Sequence, residues 1–566
     1  MQTRNTIALA GLALAASTSI APAQAILDTA FLSGQQVPSL APGVTFTQFG
    51  APSINASGAV GAWCIFAGPG VDFTNNIALV SNAGGVVELF ARIGDHAPGT
   101  PAGVNFSNTG NYRFSDSGMI SAFSGVMGPG ITGSNDFGHW LQVGSSFELL
   151  AREGDAAPGV AGAVLESFLS QPAVNAAGQA AFACSVAGPG VVFSTSRTLY
   201  YGTPGSLSLL ARGGQIAPGT SSTYFGFSVP TLNSAGQAAF IGLLTGSGIT
   251  PENDEGIWAG TPGSVALLVR GGDIAPGVAP AMYDSFGYPW LTSDGILGLW
   301  STLTGSGVNS TNNQGIWCGP AATPSLVART SDLAPGVPGD GKFATLDLPV
   351  VSTAGKLAFQ ATLTGSGITS ADDSGIWTDV SGALALIARE GDPAPGTDAA
   401  FAGFFRPQVS ASGVVVFNAY LSGSGVNDNN IFGLWALGTD GDVHFVARTG
   451  TPIDVNSSPL ITDLRTPSTI DTVFGASNFG GWNSSLNDDG QIAFRAELTD
   501  GGFAIFIAEL NYCDGDFNND GFVDFTDLDN YVSAFDSGGT GADFNGDGFV
   551  DFTDFDSFVA AFEAPC

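Results

Sequence analysis

Positive charge is scarce in this sequence: 15 Lys and Arg stand against 49 Asp and Glu in 566 residues, a formal charge of −34. Polyanionic surfaces repel such a chain, which excludes nucleic acid and anionic membranes as partners. Charged residues of both signs make up only 11%, while 44% are hydrophobic, so this is not a disordered acidic chain. Five cysteines over this length exclude a disulfide scaffold. His96, His139 and His444 fall in no metal-ligand spacing. No G-x-S-x-G elbow supports Ser-hydrolase chemistry. No segment after the N-terminus reaches about 18 uninterrupted apolar residues, so a transmembrane segment is not expected in the mature chain.

Gly (81) and Phe (41) are abundant instead, and the glycines show no period of three, which removes collagen. The N-terminus reads as a signal peptide over residues 1–25. Arg4 supplies the basic region, Thr6 to Ser17 the apolar stretch, and Ala23-Gln24-Ala25 the cleavage site. The expected product is secreted, extracellular or at the cell surface, after cleavage near Ala25. Disulfides are permitted there, and Cys513 and Cys566, which bracket a compact C-terminal segment, are the expected bridge. Cys64, Cys184 and Cys318 are expected as small buried hydrophobes.

Self-similarity dominates the rest. The pattern N-x-x-G-x-x-A-F-x-x-x-L-x-G-x-G is clearest at Asn175, Asn233 and Asn487, with degenerate copies from Asn55, Ser115, Thr292, Ser352 and Ser410. An aromatic follows the second Gly of G-x-G in most copies (Trp140, Tyr200, Trp258, Trp317, Trp377, Trp435). Next comes an Arg (Arg92, Arg152, Arg212, Arg270, Arg329, Arg389, Arg448), and then a loop of the type G-D-x-A-P-G. Each unit reads as four short strands, A to D, separated by Gly, Pro, Asn and Asp. In one unit these are Tyr224 to Leu232, Gln237 to Leu244, Gly256 to Gly260 and Ser264 to Arg270.

The two ends decide the architecture. Asp28 to Gly34 align with a D strand, while the last unit has A, B (Gln491 to Leu498) and C (Phe503 to Leu510) but no D. A closed ring needs this complementarity, because the N-terminal strand then completes the last blade and leaves no edge open. The expectation is an all-β, eight-bladed propeller over 26–511, followed by a small α-helical module over 513–566. The turn Pro230-Thr-Leu-Asn233-Ser-Ala-Gly236 resembles the signal of TolB-type propeller repeats. The chain as a whole is similar to a bacterial secreted tandem-repeat family with N-x-x-G-x-x-A-F repeats. That family brings no activity with it.

Length variation collects in the D–A connections, so the D–A/B–C face is where a ligand site is expected, with the long loop from Thr451 to Trp482 as its unit-specific part. The seven repeated arginines, often with Asp three residues on, read as loop-fastening ion pairs rather than an anion-binding ring. The aromatic ring reads as packing rather than a sugar-stacking platform. Acidic B–C loops, such as Asn253-Asp254-Glu255 and Asp372-Asp373, are the candidates for paired carboxylates in glycoside cleavage. No catalytic residue is assigned.

The C-terminal module carries the sharpest pattern. Two twelve-residue loops lie 27 residues apart, from Asp516 to Asp527 and from Asp543 to Asp554. Oxygen side chains stand at positions 1, 3, 5, 9 and 12: Asp516, Asn518, Asp520, Asp524 and Asp527, then Asp543, Asn545, Asp547, Asp551 and Asp554. Phe522 and Phe549 offer backbone carbonyls at position 7, and Gly521 and Gly548 allow the sharp turn. A hard cation taking six to eight oxygens matches this spacing, so two Ca²⁺ ions are expected. Each loop runs into an amphipathic helix, from Asp524 and from Asp551.

These paired loop-helix units resemble the dockerin fold, and the flanking cysteines look like the variant found as an anchoring module on bacterial secreted proteins. The resemblance implies a cohesin-like or envelope anchoring protein as partner. Phe525, Thr526, Phe552 and Thr553 stand at the contact positions 10 and 11. They depart from the small or hydroxyl pairs usual there. The function expected from all this is a secreted, non-enzymatic binding or structural propeller, with an extracellular glycan as a candidate ligand, held by a Ca²⁺-ordered module. The alternative is a secreted carbohydrate-active enzyme, a polysaccharide hydrolase or lyase carrying a dockerin.

Overall fold

The structure is a computed structural model. It describes residues 26–510 except 116, 145, 457–461 and 473–483, together with 515, 517, 523, 525–537, 542, 544 and 549–563. The chain divides into a unit of Ala25–Tyr512 and a second that contains Cys513–Cys566.

In the larger unit the strands pair into eight antiparallel sheets of four or five strands, an eight-bladed β-propeller. In the fourth blade, B is Ala238–Thr245, C is Glu255–Gly260 and D is Ala266–Arg270. The N-terminal strand Ile26–Leu32 lies against Phe503–Glu509, which in turn pairs with Gln491–Leu498 and through it with Pro467–Asp471. The ring therefore closes as the strand count requires, with D of the eighth blade supplied from the other end of the chain. Phe31 enters the seam at 1% exposure and meets Phe46 and Phe49 at ring-centroid distances of 6.2 and 5.7 Å.

Strand A differs from the expected single run. It is broken in most blades: Thr223–Phe227 and Thr231–Leu232 both pair with B, separated by Ser228-Val229-Pro230. Proline explains the break, because it has no N–H to give to the ladder. Pro52, Pro172, Pro230, Pro289, Pro349 and Pro407 all fall just before the short inner piece. The second blade has Tyr112 there, and its strand runs unbroken from Asn105 to Phe114. The inner pieces of neighbouring blades meet around the axis, as where the Ile54 N–H donates to Ser484 O at 2.9 Å.

The N-x-x-G turn serves two purposes. Asn233 Oδ1 accepts the Gln237 N–H at 2.8 Å, closing its own turn, while Asn233 Nδ2 donates to Thr292 O of the next blade at 3.0 Å. Asn175 reaches Asn233 O in the same way at 3.1 Å, and Asn487 reaches Asn55 O across the closure at 3.0 Å. Where Ser or Thr replaces Asn, only the first role survives, as at Ser352, whose Oγ accepts the Lys356 N–H at 3.1 Å. A hydroxyl is too short to bond in both directions.

The smaller unit has helices Phe525–Asp536 and Phe552–Glu563. Tyr531 and Phe558, equivalent positions of the 27-residue repeat, stack at 4.0 Å and 11° in its core, with Phe517, Phe544 and Phe555 around them.

Closure predicts the cost of losing the seam. Phe31→Ala should lower stability by about 3–5 kcal/mol, the usual range for a buried phenylalanine, read as a lower urea midpoint with unchanged slope. A loss below about 1 kcal/mol would show that the N-terminal strand is not needed to hold the ring.

Candidate functional site

The repeated side chains are consumed by the fold. The strand C indole donates Nε1–H to the proline carbonyl of the A-P-G loop that enters its blade: Trp140 to Pro98, Trp258 to Pro218, Trp317 to Pro276, Trp377 to Pro335 and Trp435 to Pro395, at 2.9–3.1 Å. Tyr200 does the same to Pro158 at 3.2 Å. All five indoles are fully buried and meet a strand A aromatic edge-on, as Phe106 meets Trp140 at 5.0 Å. They cannot stack on a sugar. The Gly of A-P-G lies over strand D with φ near +78° at Gly99, and a Cβ there would come within 2.6 Å of Leu149.

The repeated arginines fasten loops, but chiefly through another partner than the expected Asp. Nε of Arg92, Arg212, Arg329 and Arg389 donates to B–C loop carbonyls of Asn75, Thr195, Asn312 and Asp372 at 2.8–2.9 Å. The ion pairs Arg92–Asp95 and Arg152–Asp155 are long, at 3.8 and 3.9 Å. Asp155 and Asp273 instead cap the backbone N–H of Arg152 and Arg270. A guanidinium bridging two loops from the end of a strand needs a carbonyl within reach more than a charge.

The acidic B–C loops are similarly engaged. Asp372 accepts from Arg389 Nη2 at 2.7 Å and from the Thr369 N–H at 2.6 Å, and Glu255 accepts the Phe286 N–H of the next blade at 2.9 Å. Among the described residues, Glu153 carries a carboxyl displaced far from its ordinary titration. Burial, then repulsion from Asp136, pushes it up to about 7. At 7% exposure it is out of reach of a polymer. His139 is a core histidine at 0% exposure, bonded to Ser170 O at 2.9 Å and pushed down to about 3 by burial, so it stays neutral. Cys64 and Cys184 are fully buried free thiols; Cys318 is half-buried.

A cavity lies on the propeller axis. It encloses about 270 Å³ and is walled by the inner strand A pieces and N-x-x-G turns of seven blades. It therefore reaches the end of the ring opposite the D–A/B–C face, where the site was expected. Apolar side chains such as Leu232, Leu291 and Val351 form part of the wall, with Ser352, Thr353 and Asn487 at the turns. Among the described residues that line it, Arg113 and Arg406 are cationic and Asp488 is the one carboxylate. Arg113 is 7% exposed, donates to Gln171 Oε1 at 3.2 Å, and is pushed down to about 10 by burial. Asp488 accepts from Thr353 Oγ1 at 2.6 Å and from the Ala411 N–H at 3.1 Å, linking three blades. Arg406 also lines a second cavity of about 610 Å³ together with Asp347 and Trp300. Sequence reasoning missed both arginines. Their signal was that they lie outside the repeated arginine position.

Of the predicted calcium residues, Asp527, Phe549, Asp551 and Asp554 are described; Asp516, Asn518, Asp520, Phe522, Asp524, Asp543, Asn545 and Asp547 lie outside the described residues, as do Cys513, Cys566 and residues 1–25. Parts of the long loop, 457–461 and 473–483, lie outside them too, Trp482 included. Asp527 and Asp554, the twelfth residues of both loops, are at 0% exposure. Asp554 accepts the Asp551 N–H at 2.8 Å, and Asp551 accepts the Thr553 N–H at 2.8 Å. A fully buried carboxylate is held by hydrogen bonds, a charge partner or a metal, and the same carboxylate at the same loop position twice fits a cation site. No three acidic, Cys or His groups converge on one point among the described residues, most of the loop positions being outside them. Phe525 and Phe552 stand 77% exposed on the first turns of their helices.

A closed eight-bladed propeller with a walled axial cavity is the class of protein that these features define. Within it, the chain belongs to a family of unknown function, DUF7453, whose profile matches residues 11–262 and 233–511. Comparison with curated protein sequences finds no match. Among solved structures the chain is similar to puromycin hydrolase, at 12% identity and a TM-score of 0.36 over 77% of this chain. It spans 60% of that protein's length. Oligogalacturonate lyase in complex with manganese matches at 13% identity and 0.36, over 85% of this chain and 98% of the other. The β-propeller domain of the trilobed protease from Pyrococcus furiosus matches at 10% and 0.35, over 72% and 100%. Similarities this low carry no argument about activity.

Two outcomes test these roles. Trp258→Phe removes the donor to Pro218 O and should cost about 1–3 kcal/mol, the range for stranding a buried polar group, read by urea unfolding. Glu153 in the folded chain keeps a proton that the unfolded chain, titrating near 4.5, has released by neutral pH. The unfolded state then binds fewer protons, so stability falls as pH rises from about 4.5 to about 7. Glu153→Gln should flatten that decline in Tm against pH; an unchanged slope would assign it to other groups.

Proposed function

We propose that this chain is an exported binding propeller, displayed by a Ca²⁺-ordered, dockerin-like module, and that it holds a ligand without cleaving a polymer. The observation that supports the Ca²⁺-ordered module is the recurrence of a fully buried aspartate at position 12 of both loops, Asp527 and Asp554. The loop residues Asp516, Asn518, Asp520, Asp524 and Asp527 would hold one ion, with the Phe522 carbonyl; Asp543, Asn545, Asp547, Asp551 and Asp554 would hold the other, with the Phe549 carbonyl. Calcium would supply the charge that offsets these carboxylates and fixes the start of each helix. Exposed Phe525 and Phe552, with Thr526 and Thr553 beside them, would offer two apolar knobs to an envelope anchoring protein with matching pockets.

Binding without polymer cleavage rests on how the candidate carboxylates are used. Asp372 and Glu255 are spent on loop and blade contacts, and the displaced carboxyl of Glu153 is buried. Glycoside hydrolysis needs two carboxyls facing the same bond from opposite sides. The alternative of a polysaccharide-cleaving enzyme is tested directly: reducing-sugar release from a polysaccharide panel would overturn the binding role.

Calorimetric titration of the full chain with Ca²⁺ should show two ions bound. Asp527→Ala combined with Asp554→Ala should abolish binding, and chelator should make the segment from Cys513 protease-sensitive while the propeller persists. Absence of Ca²⁺ binding by the unaltered chain would sink the metal assignment.

A further inference from the structure

Strand A changes chemistry from blade to blade at two positions. One lies two residues before the turn Asn, Ser or Thr, as Ser53, Arg113, Thr231 and Trp290, and is followed by an apolar residue. The other is a β-bulge. In every blade the register between A and B shifts just after a buried side chain. The bulged residue is Thr47 in the first blade, Glu166 in the third, Phe225 in the fourth and Ala344 in the sixth. A bulge re-aims a side chain away from the alternation of the ladder.

At the junction of the third and fourth blades, the bulge meets a B–C loop that also departs from its siblings. Two residues after G-x-G the other loops carry Asp72, Thr132, Thr250, Asn309, Thr369 or Asn427; the third blade carries Val192. The Val192 N–H still donates to Thr195 Oγ1 at 3.0 Å, so the turn gains nothing from the apolar side chain. Val192 and Phe193 are 58% and 72% exposed, and Phe193 meets the exposed Phe225 edge-on at 5.9 Å. The D–A loop of the same junction brings Ile216, 69% exposed, where earlier blades have Gln36, His96 and Ala156. A Cβ on Gly214 of that loop would come within 2.9 Å of Thr195. Ile274 and Leu333 repeat the Ile216 position in the next two blades and are equally exposed. Large apolar side chains thus stand in water at positions where polar or small residues serve the fold elsewhere, the mark of an interaction surface.

The neighbouring junctions are acidic at the same positions. Asp136 and Glu166 stand between the second and third blades, and Glu252, Asp254, Glu255 and Asp284 between the fourth and fifth. Burial first, then repulsion from Asp284 and Glu252, holds the Asp254 carboxyl above its ordinary range. Of the cations at the apolar junction, Arg212 spends Nε on Thr195 O at 2.8 Å and Arg197 is half-buried. An apolar strip between acidic flanks is complementary to apolar side chains set among cations. A second copy of a chain at −34 would be repelled. A neutral glycan would draw nothing from the carboxylates, and an acidic one would be repelled by them. Side chains this exposed suit an extended partner better than a small molecule, which needs walls.

We propose that the junction of blades three and four, on the D–A/B–C face, docks an extended basic segment of a partner polypeptide. Its aromatic or aliphatic side chains cover Val192, Phe193, Ile216 and Phe225, and its Lys or Arg side chains lie toward Glu166 on one side and Glu252 and Asp284 on the other. A cation over an exposed phenylalanine face and beside a carboxylate gains from both. This deepens the binding-propeller reading and rests on it.

The test presents the full chain to an array of decapeptides of four compositions: Lys and Arg with Phe and Leu, Lys and Arg with Ser, Glu with Phe and Leu, and Ser with Phe and Leu. The first class alone should retain the chain, and retention should fall at least ~10-fold as salt rises from ~50 to ~500 mM. In calorimetric titration with the tightest peptide of that class, Phe193→Ser and, separately, Ile216→Ser should each weaken binding at least ~10-fold. Phe73→Ser, at an exposed loop tip of the first blade, should leave it unchanged. The comparison of peptide classes on the unaltered chain stands even if a variant fails to fold. No retention by the first class, equal retention by the acidic or uncharged peptides, or affinity unchanged in both Phe193→Ser and Ile216→Ser overturns the proposal. So does self-association of the chain that these variants abolish while no peptide binds. Polysaccharide cleavage would instead overturn the binding role itself, and saturable binding of cellotetraose with no peptide retained would overturn this partner class alone.

Discussion

The hydrogen bond from a strand C indole to the proline carbonyl of the incoming A-P-G loop is the constraint on which the ring depends. It fixes where one blade hands the chain to the next. The proline presents a rigid carbonyl and offers no competing N–H. The glycine after it lets the loop lie flat on strand D. Because the indole also packs edge-on against strand A of its own blade, one side chain sets three elements at once: the entering loop, the inner strand and the third strand.

Blades one and eight, which flank the closure, have Val80 and Phe506 where the others have the donating aromatic. Different contacts take over there. Phe31, Phe46 and Phe49 cluster in the seam, and Ser485 Oγ donates to Pro52 O at 2.8 Å. Arg495 Nη1 donates to Phe49 O at 3.1 Å and its other nitrogen pairs with Asp471. The closure is thus a joint between chain ends with its own chemistry, and the local repeat does not extend to it.

Blade number and closure were legible because they follow from strand arithmetic: every backbone edge needs a partner, and a D strand at the wrong end can only complete the last blade. The N-x-x-G turn was legible because Asn and Gly have few other reasons to recur at that spacing. The broken strand A was visible as a recurring proline, yet a hydrophobic run on both sides of it read as one strand. The arginine role was right in kind, and the pairs Arg92–Asp95 and Arg152–Asp155 form as read, but the shorter contact goes to a carbonyl seventeen residues back, which has no sequence signature while an Asp three residues on does. Arg113 and Arg406 were hidden for a different reason. Repetition draws attention to what recurs, and Gln171, which accepts from Arg113, comes from the next blade, 58 residues on.

A propeller separates its obligations by radius. Strand C meets the incoming loop in the same way in six blades, so one solution repeats there. Toward the axis all blades share a single space, and eight identical side chains would impose a symmetric lining. Letting one position vary per blade breaks that symmetry without disturbing the turn beside it, because the apolar residue that follows and the turn's own hydrogen bonds hold the backbone. The proline break helps by freeing the inner piece from the register of the outer strand. The residues that set the turn and the position that varies from blade to blade are then neighbours in sequence.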